Sequence, residues 1–158
     1  MKFSDNLQYS NIEERLASDG FFVSTTAGVS MKPMLRDRRD RVVLVPVGAE
    51  KLKKWDLPAY RRADGKCVLH RIIAVKEDYY IIRGDNTYAK EYVPHEQIFG
   101  YVTEFYRGKK HIRTDSKWYR LYASVWNKLY FLRLPLRWLR VLASKLKHLF
   151  MVKFGNKG

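Results

Sequence analysis

The chain holds a single cysteine, Cys67, among its 158 residues, so it offers neither an internal disulfide nor the ligands of a multi-cysteine zinc or iron–sulfur site. It has no stretch approaching the 18 or so uncharged apolar residues that span a bilayer, which excludes a transmembrane helix as the reading of any segment. The first twenty residues lack an apolar core and carry Asp5, Glu13, Glu14 and Asp19. A cleavable secretory signal is therefore not expected, and a cytoplasmic location is. Acidic residues almost vanish from the last third: residues 107–158 hold 14 Lys/Arg and 1 Asp/Glu, against 17 and 15 in residues 1–106. Nearly all of the net charge of +15 thus sits on the C-terminal segment, which implies a polyanionic partner, either anionic lipid or nucleic acid.

What is present suffices for a packed domain. With 46% hydrophobic and 15% aromatic residues the chain can bury a core, and its length fits one domain with an appendage. A short helix is expected over 10–18, capped by Ser10 or Asn11 and stopped at Asp19-Gly20. From Phe21 onward, runs rich in branched and aromatic residues are bounded by turn residues: 21–27, 41–47, 57–62, 67–75, 79–83 and 99–106. Lys76-Glu77-Asp78 and Arg107-Gly108-Lys109 read as hairpin connections, the second leading into a strand at 111–113. This spacing predicts a mainly β body over 1–113, an antiparallel barrel-like or coiled sheet. After Asp115, read as an N-cap, the period turns helical to about residue 153 with a break at Pro135. Residues 114–158 are therefore expected to form a basic amphipathic helical tail.

Three short segments carry the residues of chemical interest. Ser30 lies just past a strand in Gly28-Val29-Ser30-Met31-Lys32-Pro33, a place from which a hydroxyl can face solvent. His70 lies in Val68-Leu69-His70-Arg71-Ile72, where alternation puts Val68, His70 and Ile72 on one strand face. Asp85 lies in Arg83-Gly84-Asp85-Asn86, a strand running into a tight polar turn. Each segment alone reads as ordinary structure; together a serine, a histidine and a carboxylate near strand ends are the parts of nucleophilic catalysis. The other histidines, His95, His111 and His148, show no metal-ligand spacing, and no cofactor is expected. Cys67 is out of phase with His70, which disfavours a Cys-His dyad.

In order and spacing these segments resemble the signal peptidase I family over most of residues 21–106. Ser30-Met31-Lys32-Pro33 is similar to the family's Ser-Met-x-Pro box, and Arg36 to Val42 to the charged turn that follows it. Asp56 stands where a second Gly-Asp falls, with Trp55 replacing the glycine. His70-Arg71 resembles the branch that uses histidine where most bacterial members use lysine. Gly84-Asp85-Asn86 matches the Gly-Asp-Asn box, and Ile98 to Val102 the closing strand. The chain departs from the family at Gly28, where many members hold a hydroxyl residue that assists the oxyanion, and the N-terminal membrane anchor usual in the family is not expected here.

The resemblance implies a serine endopeptidase with Ser30 as nucleophile and His70 as general base. A carboxylate is then needed on the far ring nitrogen, and Asp85 and Glu91 compete for that role, with Asp85 favoured for its fixed turn. The implied substrate is a precursor or leader peptide with small residues before the scissile bond. Two other readings stand beside this one: a relative of the LexA-type self-cleaving regulators, which use a lysine base, and a non-catalytic anion-binding module. For the tail, residues 116–153 are expected to lie on an anionic membrane surface, making the protein peripherally membrane-associated, because Trp118, Trp126, Trp138 and Phe150 fall on apolar stripes beside a basic face. Nucleic acid is the less favoured partner for the same reason.

Overall fold

The computed structural model describes residues 12–130. Its first element is helix α1 (Ile12–Asp19), which turns Ile12 and Leu16 inward and ends where Gly20 takes a φ of 75° and returns its N–H to the Leu16 carbonyl. A left-handed residue at that point costs a glycine little, which is why Asp19-Gly20 stops the helix.

The strands that follow are β1 (Phe22–Thr25), β2 (Asp40–Pro46), β3 (Pro58–Arg61), β4 (Cys67–Leu69), β5 (Arg71–Val75), β6 (Tyr79–Arg83), β7 (Glu91–Pro94), β8 (Ile98–Arg107) and β9 (Lys110–Arg113). A 3-10 turn at His95–Gln97 leads into β8. The architecture is mainly β, with a curled antiparallel half-barrel. Its large sheet has the order β1-β2-β8-β3-β4, with β9 also on β8, and a three-stranded sheet has the order β5-β6-β7. Strand β8 organises the large sheet, pairing with β2 along one edge and with β3 and then β9 along the other. Register shifts at Val43/Leu44 and Ala59/Tyr60 interrupt the ladders on both sides of it. Such irregularities bend a sheet and increase its twist, so they help it curl.

Burial follows the alternation along each strand. Val42, Leu44, Val102 and Phe105 turn to the inner face of the large sheet, where they meet Leu16 of α1. The helix comes so close that a Cβ on Gly100 would stand 2.6 Å from Leu16 Cδ2. A second cluster, with Tyr60, Ile72, Tyr80, Ile82 and Val93, joins the small sheet to β3 and the start of β8. Burying one such side chain stabilises the fold by about 1.5–3 kcal/mol, so these clusters supply much of the cohesion.

Two sequence expectations change here. Residues 67–75 do not form one strand: the ladder breaks at His70, where the chain leaves the large sheet as β4 and enters the small one as β5. His70 therefore stands between two sheets and not on a strand face with Val68 and Ile72. The cap of the second helix, α2 (Lys117–Lys128), is Ser116 and not Asp115. The Ser116 hydroxyl accepts from the Tyr119 N–H at 3.3 Å, while Asp115 is taken by Arg113 at 2.6 Å.

Two compact units divide the chain within α2, the first ending at Ala123 and the second starting at Ser124. Tyr119 and Ala123 are buried in the first unit, and Trp118 and Leu121 are exposed. Among the described residues no helix is long and apolar enough to cross a membrane. The expected continuation of the tail past residue 130 lies outside the described residues.

Candidate active site

The loop between β1 and β2 carries Ser30 and is anchored on both sides of it. After Ser30, Met31, Met34 and Leu35 are buried in the main cluster. Before it, the Thr26 hydroxyl donates to the carbonyls of Arg36 and Asp40, and the Gly28 N–H donates to Asp37 Oδ1 at 2.8 Å. Asp40 has no solvent exposure and draws Arg36 and Arg107 onto itself. Burial pushes its carboxyl up, but the bonds to Arg36 and Arg107 outweigh that and hold it below the usual carboxylate range. Gly28 has a φ of 94°, so the hydroxyl residue found there in many relatives of the resembled family would be strained in this loop. The Lys32-Pro33 peptide is cis.

Each residue of Gly84-Asp85-Asn86 has a distinct task in this geometry. Asn86 holds the serine loop, its N–H donating to the Ser30 carbonyl at 2.7 Å and its side-chain amide to the Val29 carbonyl at 3.2 Å. Gly84 gives room: a Cβ there would meet Ser30 O at 2.8 Å, Thr87 Oγ1 at 2.9 Å and His70 Nε2 at 3.0 Å. Asp85 is gripped on both oxygens by Arg71, at 2.7 Å each, with both side chains fully buried. The same guanidinium donates to the Trp55 carbonyl and to the Tyr119 hydroxyl, the latter at 2.7 Å. A buried charge costs several kcal/mol unless paired and hydrogen-bonded, and here both conditions are met.

His70 is the point where these parts meet. Its ring is buried, with Nε2 toward Gly84 and the Ser30 backbone and Nδ1 facing Glu91 Oε1 at 2.9 Å. Glu91 is held in turn by a bidentate fork from Arg62, at 2.6 Å to each oxygen, and by the Tyr60 hydroxyl. Burial pushes the Glu91 carboxyl up, but the Arg62 and Tyr60 bonds and the neighbouring His70 and Arg62 charges bring it below its ordinary value, so it is anionic at neutral pH. Burial lowers the proton affinity of His70, and Glu91 opposes that without cancelling it, leaving the imidazole neutral near pH 7. A neutral ring whose Nδ1 proton goes to a carboxylate presents a lone pair at Nε2, the form a general base needs.

The structure thus brings Ser30, His70 and Glu91 together and takes Asp85 out of contact with the ring nitrogens. The expected preference for Asp85 over Glu91 does not match this geometry, in which Glu91 faces the ring nitrogen and Arg71 binds both Asp85 oxygens. Ser30 and His70 line one cleft of about 360 Å³ whose apolar wall includes Leu44, Ala59, Leu69 and Phe99. Cys67 lines it too, and burial raises its pKa, keeping the thiol protonated. Among the described residues, neither the Ser30 hydroxyl nor its backbone N–H makes a hydrogen bond. Sequence reasoning missed Tyr60, Arg62 and Tyr119; the first two lie in a segment read only as a strand, and nothing in its pattern sets them apart. Comparison of the chain with protein-family models and with curated proteins returns no match.

Proposed function

We propose that the chain is a serine endopeptidase in which Ser30 attacks the peptide carbonyl, His70 takes the proton and Glu91 orients the ring. The observation that carries this reading is the His70–Glu91 contact of 2.9 Å beside a serine that lines the same cleft. Ser30 Oγ bonds to the carbonyl carbon as its proton passes to His70 Nε2, and the carbonyl oxygen gains the negative charge. The C–N bond then breaks as the imidazolium returns that proton to the leaving amine. Water, activated by the same ring, hydrolyses the acyl-enzyme. The uncommitted Ser30 N–H is the donor available to the oxyanion. The serine and histidine are not bonded to each other here, in keeping with catalytic hydrogen bonds that tighten only in the substrate complex.

The cleft also suits an extended peptide. Residues 24–28, at the end of edge strand β1, and 67–69, in edge strand β4, lie along it. Such edges offer unpaired backbone groups to an incoming strand. The substrate in this reading is a precursor or leader peptide. A self-cleaving regulator with a lysine base is less well supported, because among the described residues no lysine lines the cleft.

Incubating the protein with a peptide library and identifying the products by mass spectrometry tests the reading. Cleavage is expected in the wild type and is lost in Ser30→Ala with an unchanged melting temperature. No cleavage by the wild type, or persistent cleavage by Ser30→Ala, would overturn it.

Association with an anionic membrane surface is a second part of the proposal, favoured by Trp118 of α2, which is 82% exposed. Co-sedimentation with phosphatidylglycerol vesicles, against neutral vesicles, checks it. The truncated control should end at Ala123 and not at Asp115, because Tyr119 belongs to the Arg71 cluster, and Trp118→Ser in the full chain removes the exposed ring that this control keeps.

A further inference from the structure

Arg62 is the cation built directly against the His70–Glu91 pair. It follows β3 at the rim of the cleft and grips both oxygens of Glu91, one of which faces His70 Nδ1. Tyr60, from the same strand, stands 3.4 Å from Nδ1 and donates to the same carboxylate. We propose that Arg62 is a positioning residue, aiming Glu91 at His70 and sharing that carboxylate's charge so that the ring stays unprotonated to lower pH than Glu91 alone would allow. The kinetic consequence rests on the peptidase reading; the effect on the ring's titration rests on the geometry alone.

The physical need is plain. A carboxylate at Nδ1 orients a histidine but also favours its protonated form, and a protonated ring cannot act as a base. A guanidinium on the far side of that carboxylate keeps the orientation and opposes the protonation. The charged and titratable groups facing His70 are Glu91 from β7, Tyr60 from β3 with Arg62 beyond its end, and Asp85 from the turn after β6. Asp85 is bound by Arg71, which leaves Arg62 as the partner of Glu91. Burial is the largest cause of the ring's lowered proton affinity, Arg62 adds to it, and Glu91 and Asp85 work against it.

The aim and the charge can be separated. Lysine keeps the charge but loses the planar fork, whereas glutamine loses both. The test follows the His70 ring resonances by NMR across a pH series in the full chain, for wild type, Arg62→Gln and Arg62→Lys, with peptide turnover measured on the same samples. In Arg62→Gln the ring is expected to titrate at higher pH than in wild type, and the acid limb of turnover moves up with it. In Arg62→Lys the titration stays near wild type while kcat falls about tenfold or more, since loose aim alone can cost up to about a hundredfold. The Arg62 side chain is 40% exposed, and circular dichroism melts check that both variants fold. An unchanged or lower titration point in Arg62→Gln overturns the charge-sharing role. Wild-type kcat in Arg62→Lys overturns the aiming role. If wild type cleaves nothing, the peptidase reading fails by itself and the titration still decides the charge-sharing role.

Discussion

Replacing Gly84 by alanine adds one methyl group at the point where the serine loop and the histidine approach each other. That methyl would stand 2.8 Å from Ser30 O, 2.9 Å from Thr87 Oγ1 and 3.0 Å from His70 Nε2. None of the three neighbours can give way cheaply. Ser30 O is backbone tied to the Asn86 N–H at 2.7 Å, Thr87 Oγ1 is bonded to the Gly84 backbone, and the His70 ring is buried against Glu91. The Gly84 φ lies outside the left-handed region, so alanine suits the backbone and gains about 0.4–1 kcal/mol from the stiffer unfolded chain. Overpacking costs about 1–3 kcal/mol, leaving a net loss on the order of 1–2 kcal/mol and a fall of a few degrees in Tm. Turnover is expected to fall further than that suggests, by about a hundredfold, because a shift on the order of 1 Å between reacting groups has that cost. Thermal unfolding, peptide turnover and the His70 ring resonances measure the two effects separately. A Gly84→Ala protein with wild-type Tm, wild-type turnover and an unmoved His70 signal would refute the argument that Ser30 and His70 meet at this glycine.

The strands were legible where alternation and turn residues coincide, as at Val42 to Val45 between the charged turn and Pro46. Strand β7 was not legible. Glu91–Pro94 is four residues long, lacks alternation and ends in proline, which an edge strand tolerates because its outer N–H groups need no partner. The break at His70 was also hidden, since Cys67 to Val75 reads as one strand-like run with no turn residue inside it, and only tertiary pairing shows that its halves belong to different sheets. At the site, the structure places Ser30, His70 and the Gly-Asp-Asn turn beside one another, but which carboxylate faces His70 does not follow from the sequence. Glu91 and Asp85 are six positions apart in the chain, and what separates them is which arginine each one meets, Arg62 or Arg71. That choice is made by β3 and β5 in three dimensions and leaves no trace in local spacing.

The two carboxylates should respond to neutralisation in opposite ways. Glu91→Gln is expected to lose turnover by a factor on the order of 10⁴, as when a triad acid becomes an amide, with little change in Tm. Asp85→Asn leaves the buried Arg71 charge without its counter-ion and should lose on the order of 3–5 kcal/mol of stability, read by urea unfolding; the reverse pattern would return the orienting role to Asp85. Because the folded-state proton affinity of His70 lies below its ordinary value, its contribution to stability is complete above about pH 6.5 and is lost as pH falls toward the folded value, the unfolded chain taking the proton first. Urea unfolding of wild type and His70→Asn between about pH 5 and pH 8 should therefore give curves that diverge upward through that window, and parallel curves would contradict the assigned direction. The last expectation concerns Trp55, which stands where the resembled family has glycine and takes a φ of 80°. Its N–H donates to the Ile72 carbonyl, its own carbonyl accepts from Arg71, and Lys54 Nζ lies 4.6 Å from its ring centroid. Trp55→Ala removes the ring and keeps the left-handed strain, which costs an L-residue about 1–2 kcal/mol, whereas Trp55→Gly removes both. Glycine is ordinarily the less stable of the two by about 0.5–1 kcal/mol, so the sign of the difference isolates the backbone. Trp55→Gly is expected to unfold at higher urea than Trp55→Ala; the opposite order would take away the backbone reason for glycine before Asp56 and, with it, the physical basis for matching this turn to the second Gly-Asp.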